Sequence, residues 1–317
     1  MALALLGAGC NHSIAVPQPG ATTSHSSPPT TAEVLRVGRA PFVLPSAVQR
    51  EVGLVAGGAV YLLGGLNGSS VSTSTVLSVD TARGTAHVAG HVAQAFHDAA
   101  GGVIGSRLFV FAGGTAQSST TVQSFDPATG GSRVDGRTPR PLSDLSSAEV
   151  AGTVYLIAGF DGVSPQRTIY STRDGTRFRQ AGTLPVGLRY AAVATWGEDV
   201  VVAGGVTDTG LSRGVFVFDP SAGTVRTTAR LPYALAHAAA FALGGAVYVA
   251  GGRDAAGNAV RDIVRIDPRS GSARRVGRLP AAISDCAAVV VGGRAWLFGG
   301  ERAAAVDDVF VASLGRD

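Results

Sequence analysis

The chain has 317 residues, a formal net charge of +4, only 15% charged side chains and 44 glycines. That balance excludes a disordered chain, and with no block of like charges it argues against a nucleic-acid binder. Every one of the 26 cationic side chains is arginine, which removes lysine Schiff-base and lysine general-base chemistry.

Residues 1–10, MALALLGAGC, form an apolar run too short to cross a bilayer as a helix. Small residues ending in Cys10 resemble the end of a bacterial lipoprotein signal, which implies a lipidated Cys10. No basic residue precedes the run, and Gly7 stands where a larger aliphatic residue is commoner. Residues 11–31 are rich in Pro, Ser and Thr and are expected to act as a flexible spacer. If Cys10 is lipidated, Cys286 has no partner, and its apolar run ISDCAAVVV suits a small packing residue.

From residue 32 to residue 317 one unit recurs six times, a strand-like run closed by glycine. The copies are VYLLGG to Gly65, LFVFAGG to Gly114, VYLIAGF with Gly159, VVVAGG to Gly205, VYVAGG to Gly252 and AWLFGG to Gly300. Spacings of 49, 45, 46, 47 and 48 residues suit one four-stranded blade per repeat. In the fifth copy, Gly244-Gly245 between two apolar runs predicts a two-residue hairpin, and Asp267-Pro268 through Gly271 predicts the next turn. Asp126 and Asp219 open equivalent turns and Asp80 a looser one, so these carboxylates are expected to hold turns and not metals.

An apolar strand, a glycine pair, a polar loop and a strand ending in Asp-Pro together resemble the kelch repeat. The resemblance departs at Ala158-Gly159 and in lacking the usual outer-strand tryptophan. It implies an all-β, six-bladed kelch-type β-propeller with four strands per blade. The last copy stops after a third strand, DDVFVASLGRD, while EVLRVGRAP at 33–41 echoes the fourth-strand segment SARRVGRLP. An N-terminal strand is therefore expected to complete the last blade and remove an open edge.

Counting back 15 residues from the last glycine of each copy reaches Arg50, Asp144, Tyr190, His237 and Asp285; in the second copy 16 residues reach Asp98, beside His97. A polar residue at the start of every innermost strand suggests either a ligand pocket at the channel mouth or interblade ties across a wet channel. Arg167, Arg213 and Arg261 follow the glycine by 8, 8 and 9 residues, and with Arg189 are expected to form a basic sector for an anionic group. His87, His91 and His97 are expected at surface or channel positions, with no metal site.

The expected role is non-catalytic binding of a protein or glycan at the mouth by a monomer displayed outside the cytoplasm, lipid-anchored or secreted. Membrane contact is expected through the lipid anchor only, with no nucleic-acid partner and no cofactor. The alternative is a carbohydrate-active enzyme resembling the kelch-type sialic acid mutarotases, with Asp98, His237 and Asp285 as acids or bases. A copper radical oxidase resembling galactose oxidase is disfavoured, because Cys286 has no evident tyrosine partner.

Overall fold

Each repeat folds as a meander because its turns are chemically specified. Gly244 and Gly245 take φ of +55° and +74° between the strands Ala239–Leu243 and Ala246–Ala250, as a tight hairpin requires. Asp267 Oδ1 accepts the N–H groups of Arg269 and Ser270 at 3.1 and 3.2 Å, turning the chain into Ser272–Arg278. Asp80, Asp126 and Asp219 bond their own turns in the same way.

The computed structural model describes residues 33–316. The expected signal segment, Cys10 and the spacer at 11–31 lie outside the described residues. Six four-stranded antiparallel sheets make a six-bladed propeller, and in five of them the strands run in chain order from one side of the sheet to the other. The sixth is completed by Glu33–Arg39, which pairs with Val309–Arg316 in a register that sets Leu35 against Leu314 and Val37 against Ala312. Beyond it the chain stays tied to blade 6, with Ala40 N donating to Val309 O at 2.8 Å and Val48 N to Val306 O at 3.1 Å, and so is led across to blade 1.

The core is not one central mass but a series of layers between neighbouring blades. Blades 1 and 2 meet through Val76, Phe96, Val110 and Phe125, and blades 5 and 6 through Phe241, Tyr248, Leu297 and Phe310. Between blades 6 and 1 lie Leu62, Trp296 and Phe298. Burying such a side chain stabilises by about 1.5–3 kcal/mol, so the ring is worth most when every layer is closed.

One position of the glycine pair is glycine in all six repeats. Gly65, Gly113, Gly159, Gly205, Gly252 and Gly300 all have φ between +74° and +105°. A Cβ on any of them would lie 2.6–3.0 Å from a carbonyl oxygen on the segment leading into its own blade's inner strand. The preceding position is alanine in two repeats, Ala112 and Ala158 at φ +60°, while at Gly64, Gly204, Gly251 and Gly299 a Cβ would lie 2.2–2.5 Å from a neighbour. The second repeat is therefore aligned on Gly113, not Gly114, and the spacings become 48, 46, 46, 47 and 48 residues.

Shortening the chain to begin at residue 42 removes the closing strand and bares the edge of Val309–Arg316. Urea unfolding is expected to show a loss of about 3 kcal/mol or more, and light scattering a concentration-dependent rise in mass.

Candidate functional site

With Gly113 as the reference, a constant step of 15 residues reaches Arg50, Asp98, Asp144, Tyr190, His237 and Asp285. All six have φ between +53° and +58°, a conformation that is easiest for glycine. Their backbones form a closed circuit. Asp98 N donates to Arg50 O at 3.2 Å, Asp144 N to Asp98 O at 2.8 Å, and Tyr190 N to Asp144 O at 2.9 Å. His237 N donates to Tyr190 O at 3.1 Å, Asp285 N to His237 O at 2.9 Å, and Arg50 N to Asp285 O at 2.9 Å. Left-handed backbone on residues that carry side chains costs of order 1 kcal/mol each, and such strain gathers at functional sites. Here all six side chains line one axial cavity of about 210 Å³.

Charge in the cavity is almost balanced. Arg50 meets Asp98 at 3.1 Å and Asp285 at 3.6 Å, and Arg189 meets Asp144 at 3.3 Å. Arg253 meets Glu301 at 2.9 Å and Asp285 at 3.5 Å. Burial opposes the charge on Arg50, but Asp98 and Asp285 outweigh it and raise its pKa. Burial pushes Asp98 up to about 7, with Asp144 and Asp285 adding to the shift and Arg50 opposing it. Asp285 goes the other way: burial works against ionisation, yet the hydrogen bond and charge of His237, with Arg50 and Ser284, hold its pKa below the usual value.

His237 Nδ1 lies 2.6 Å from Asp285 Oδ1, and Ser284 Oγ donates to Asp285 Oδ2 at 2.7 Å. With Nδ1–H donating to the carboxylate, the neutral ring keeps Nε2 as its acceptor. The Tyr190 ring stacks on that imidazole at 3.8 Å, while its hydroxyl donates to Asp98 at 3.4 Å. Burial and the carboxylates Asp98 and Asp144 raise the pKa of that phenol. His97 sits beside this group, its Nδ1 2.8 Å from Ser72 Oγ and its Nε2 3.6 Å from Asp98. Burial, then Arg50, lowers its pKa. A base held by a carboxylate, next to an acid titrating near neutrality, is equipped to move a proton on a bound molecule.

The expected basic sector does not form. Arg167 and Arg213 are exposed and donate Nε to Leu184 O and Leu231 O, each at 2.8 Å, bracing the outer strands of their own blades. Arg261 is also exposed, and none of the three lines the mouth. A position eight or nine residues past the glycine falls at the start of the third strand, away from the axis. Only Arg189 of that set stands at the mouth, over the Phe160 ring at 4.7 Å. His87 and His91 are exposed on the outer strand Thr85–Phe96, apart from His97.

Three residues that count were missed. Arg253 and Glu301 directly follow the glycine of their repeats, a position filled by Leu66, Gly114, Phe160 and Val206 elsewhere. Glu51 follows Arg50 where other blades have Ala99, Leu145, Ala191, Ala238 and Cys286, so a lone charge at an apolar register position was the signal. Glu51 is 8% exposed, takes the Ala287 N–H on Oε1 at 3.3 Å and has no partner on Oε2. Burial, with Asp285 adding, pushes its carboxyl up to about 8. The nearby Cys286 is held as a thiol, its pKa raised by burial, then by Glu51 and Asp285. The letters Gly210-Leu211-Ser212-Arg213-Gly214 match a nucleophile elbow, but Ser212 lies between strands of blade 4 and its Oγ accepts Gly214 N–H at 2.9 Å.

Residues 234–272, which contain His237 and most of blade 5, match the family model described as the Kelch motif. The chain is a six-bladed β-propeller that carries a Kelch motif in its fifth blade. The propeller resembles a solved structure titled "Structure of YjhT", with a TM-score of 0.74 and 17% identity over 86% of this chain and 99% of that one. Identity that low establishes a shared fold and nothing about the ligand. No curated protein sequence matches the chain.

Glu51 gives a pH signature. Its folded pKa is above the ordinary 4.5, so the stability it contributes is complete below that pH and is lost as pH rises through about 8. Between pH 5 and 9, urea denaturation is expected to shift in favour of Glu51→Gln over the native protein by roughly 3 kcal/mol.

Proposed function

We propose that the kelch propeller binds a small, neutral, hydroxyl-rich ligand, of the sugar class, at the mouth of its channel. The observation that carries this reading is the convergence of six side chains, one from each blade, on one cavity, where Arg50 and the neighbouring Arg189 and Arg253 each already have a carboxylate partner. Asp98, Asp144, Asp285 and Glu301 face Arg50, Arg189 and Arg253, so an anionic ligand would meet no unpaired cation. Paired carboxylates and guanidiniums present fixed acceptors and donors side by side, which suits hydroxyl groups that need both. This replaces the carboxylate ligand expected from the arginine spacing.

A second reading is favoured by one contact, the 2.6 Å approach of His237 to Asp285. In it the bound sugar undergoes proton transfer, with His237 Nε2 as base and Asp98 as the facing acid. The kelch-type mutarotases perform chemistry of this kind, but the carboxylate of a sialic acid finds no basic sector here.

The proposal places the propeller outside the cytoplasm on a lipidated Cys10 and the spacer that follows. Its support is the segment ending LLGAGC.

A panel of neutral mono- and oligosaccharides presented to the full chain is expected to yield specific binding that Asp98→Asn and His237→Ala each weaken at least tenfold. Absence of binding to any neutral glycan would overturn the reading. Proton exchange or epimer interconversion of the bound sugar by NMR, abolished by His237→Ala, would convert the binder into an enzyme. Radiolabelled palmitate is expected to enter the native chain and not Cys10→Ser; no incorporation in either would sink the anchor.

A further inference from the structure

The mouth is not round. Beside the axial cavity a second one of about 570 Å³ runs outward over blades 2 and 3, and the two share Arg50, Asp98, Asp144 and Tyr190. Pockets for drug-sized molecules measure about 300–1,000 Å³, so the axial part alone suits one small ring while the lateral part has room for more.

The lateral chemistry differs from the axial. Its far walls are the loops after the second strands of blades 2 and 3, with Thr115, Gln117, Phe160, Asp161 and Val163, and the passage from the outer strand of blade 2 into blade 3, with Pro141 and Ser143. These walls are braced. Ser118 Oγ lies 3.0 Å from Ser143 Oγ and donates to Phe160 O at 3.0 Å, while Ser143 N donates to Phe160 O at 2.9 Å. Val163 is 87% exposed, the highest value among the exposed large hydrophobic side chains of the described residues. It is nonetheless fixed, because Asp161 Oδ1 accepts the N–H groups of Val163 and Ser164 at 3.0 and 2.9 Å. A fixed apolar group at the rim of a hydroxyl-lined cavity matches a sugar ring, which offers a C–H face and a hydroxyl edge together.

We propose that this lateral cavity is a second subsite, taking the next ring of a neutral oligosaccharide whose first ring occupies the axial cavity. This rests on the sugar-binding reading of the axial site. The ligand then leaves the axis over blades 2 and 3, the side on which the lateral cavity opens. Gln117 and Thr115 bond the second ring's hydroxyls and Val163 covers its C–H face, so they select chain length without touching the first ring.

Calorimetric titration of the full chain with a glycan-array hit, as the monosaccharide and as its disaccharide, tests this. The disaccharide is expected to bind at least tenfold more tightly. Gln117→Ala and Val163→Asp, both on exposed or rim positions, are expected to remove most of that gain while leaving monosaccharide affinity within twofold. Equal affinity for the two sugars, or variants that weaken both alike, would overturn the second subsite and leave the axial site standing. If neither sugar binds, the axial reading and the second subsite fall together.

Discussion

The closed circuit of six backbone hydrogen bonds at the channel mouth is the constraint on which the rest depends. Each blade enters its inner strand through a left-handed residue whose N–H reaches the carbonyl of its counterpart one blade earlier. For that to happen the chain just before it must lie against the second strand of its own blade, so closely that only glycine fits there. The repeat's most visible residue is thus the footprint of a contact it does not itself complete. The circuit also cannot close without blade 6. The bond from Arg50 to Asp285 joins first blade to last, and blade 6 has its fourth strand only because Glu33–Arg39 supplies it.

Energetically the molecule separates two tasks. Interblade layers of Phe, Leu, Val and Ala give the stability, and they hold the mouth in a geometry it would not adopt alone. The mouth itself works against folding: six strained backbones, three buried or half-buried guanidiniums, and carboxyls at Asp98 and Glu51 that burial pushes toward the neutral form. Buried charges are tolerable only when paired, which is why each arginine at the mouth has a carboxylate within hydrogen-bonding or ion-pair distance. The same pairing decides ligand chemistry, since guanidiniums already matched have hydrogen bonds to offer and little net charge.

Much of this was legible from residues 32–317 read as a periodic string. Period predicts the blade, Asp-Pro and Gly-Gly predict its turns, and a short last repeat beside an orphan first strand predicts the closure. Even the polar circuit was reachable by counting, because equivalent positions in a repeat occupy equivalent places around an axis. Counting failed where it crossed a loop of variable length. Arg167, Arg213 and Arg261 recur at matching steps along the chain yet stand off the mouth, the first two bracing outer strands, while Arg253, with no matching arginine in other blades, stands at the mouth.

By itself, then, the sequence determined the architecture, since repeat period, turn chemistry and alternation are local properties that any copy of the chain must obey. Only the tertiary structure decided which polar residues face one another. Asp285 met His237 across 48 positions and Arg50 across 235, distances along the chain that carry no signal until six blades close a circle. The partnerless oxygen of Glu51, the balance of charge at the mouth and the lateral cavity over blades 2 and 3 belong to that second kind. They depend on side chains from different repeats meeting in a space that no single repeat encloses.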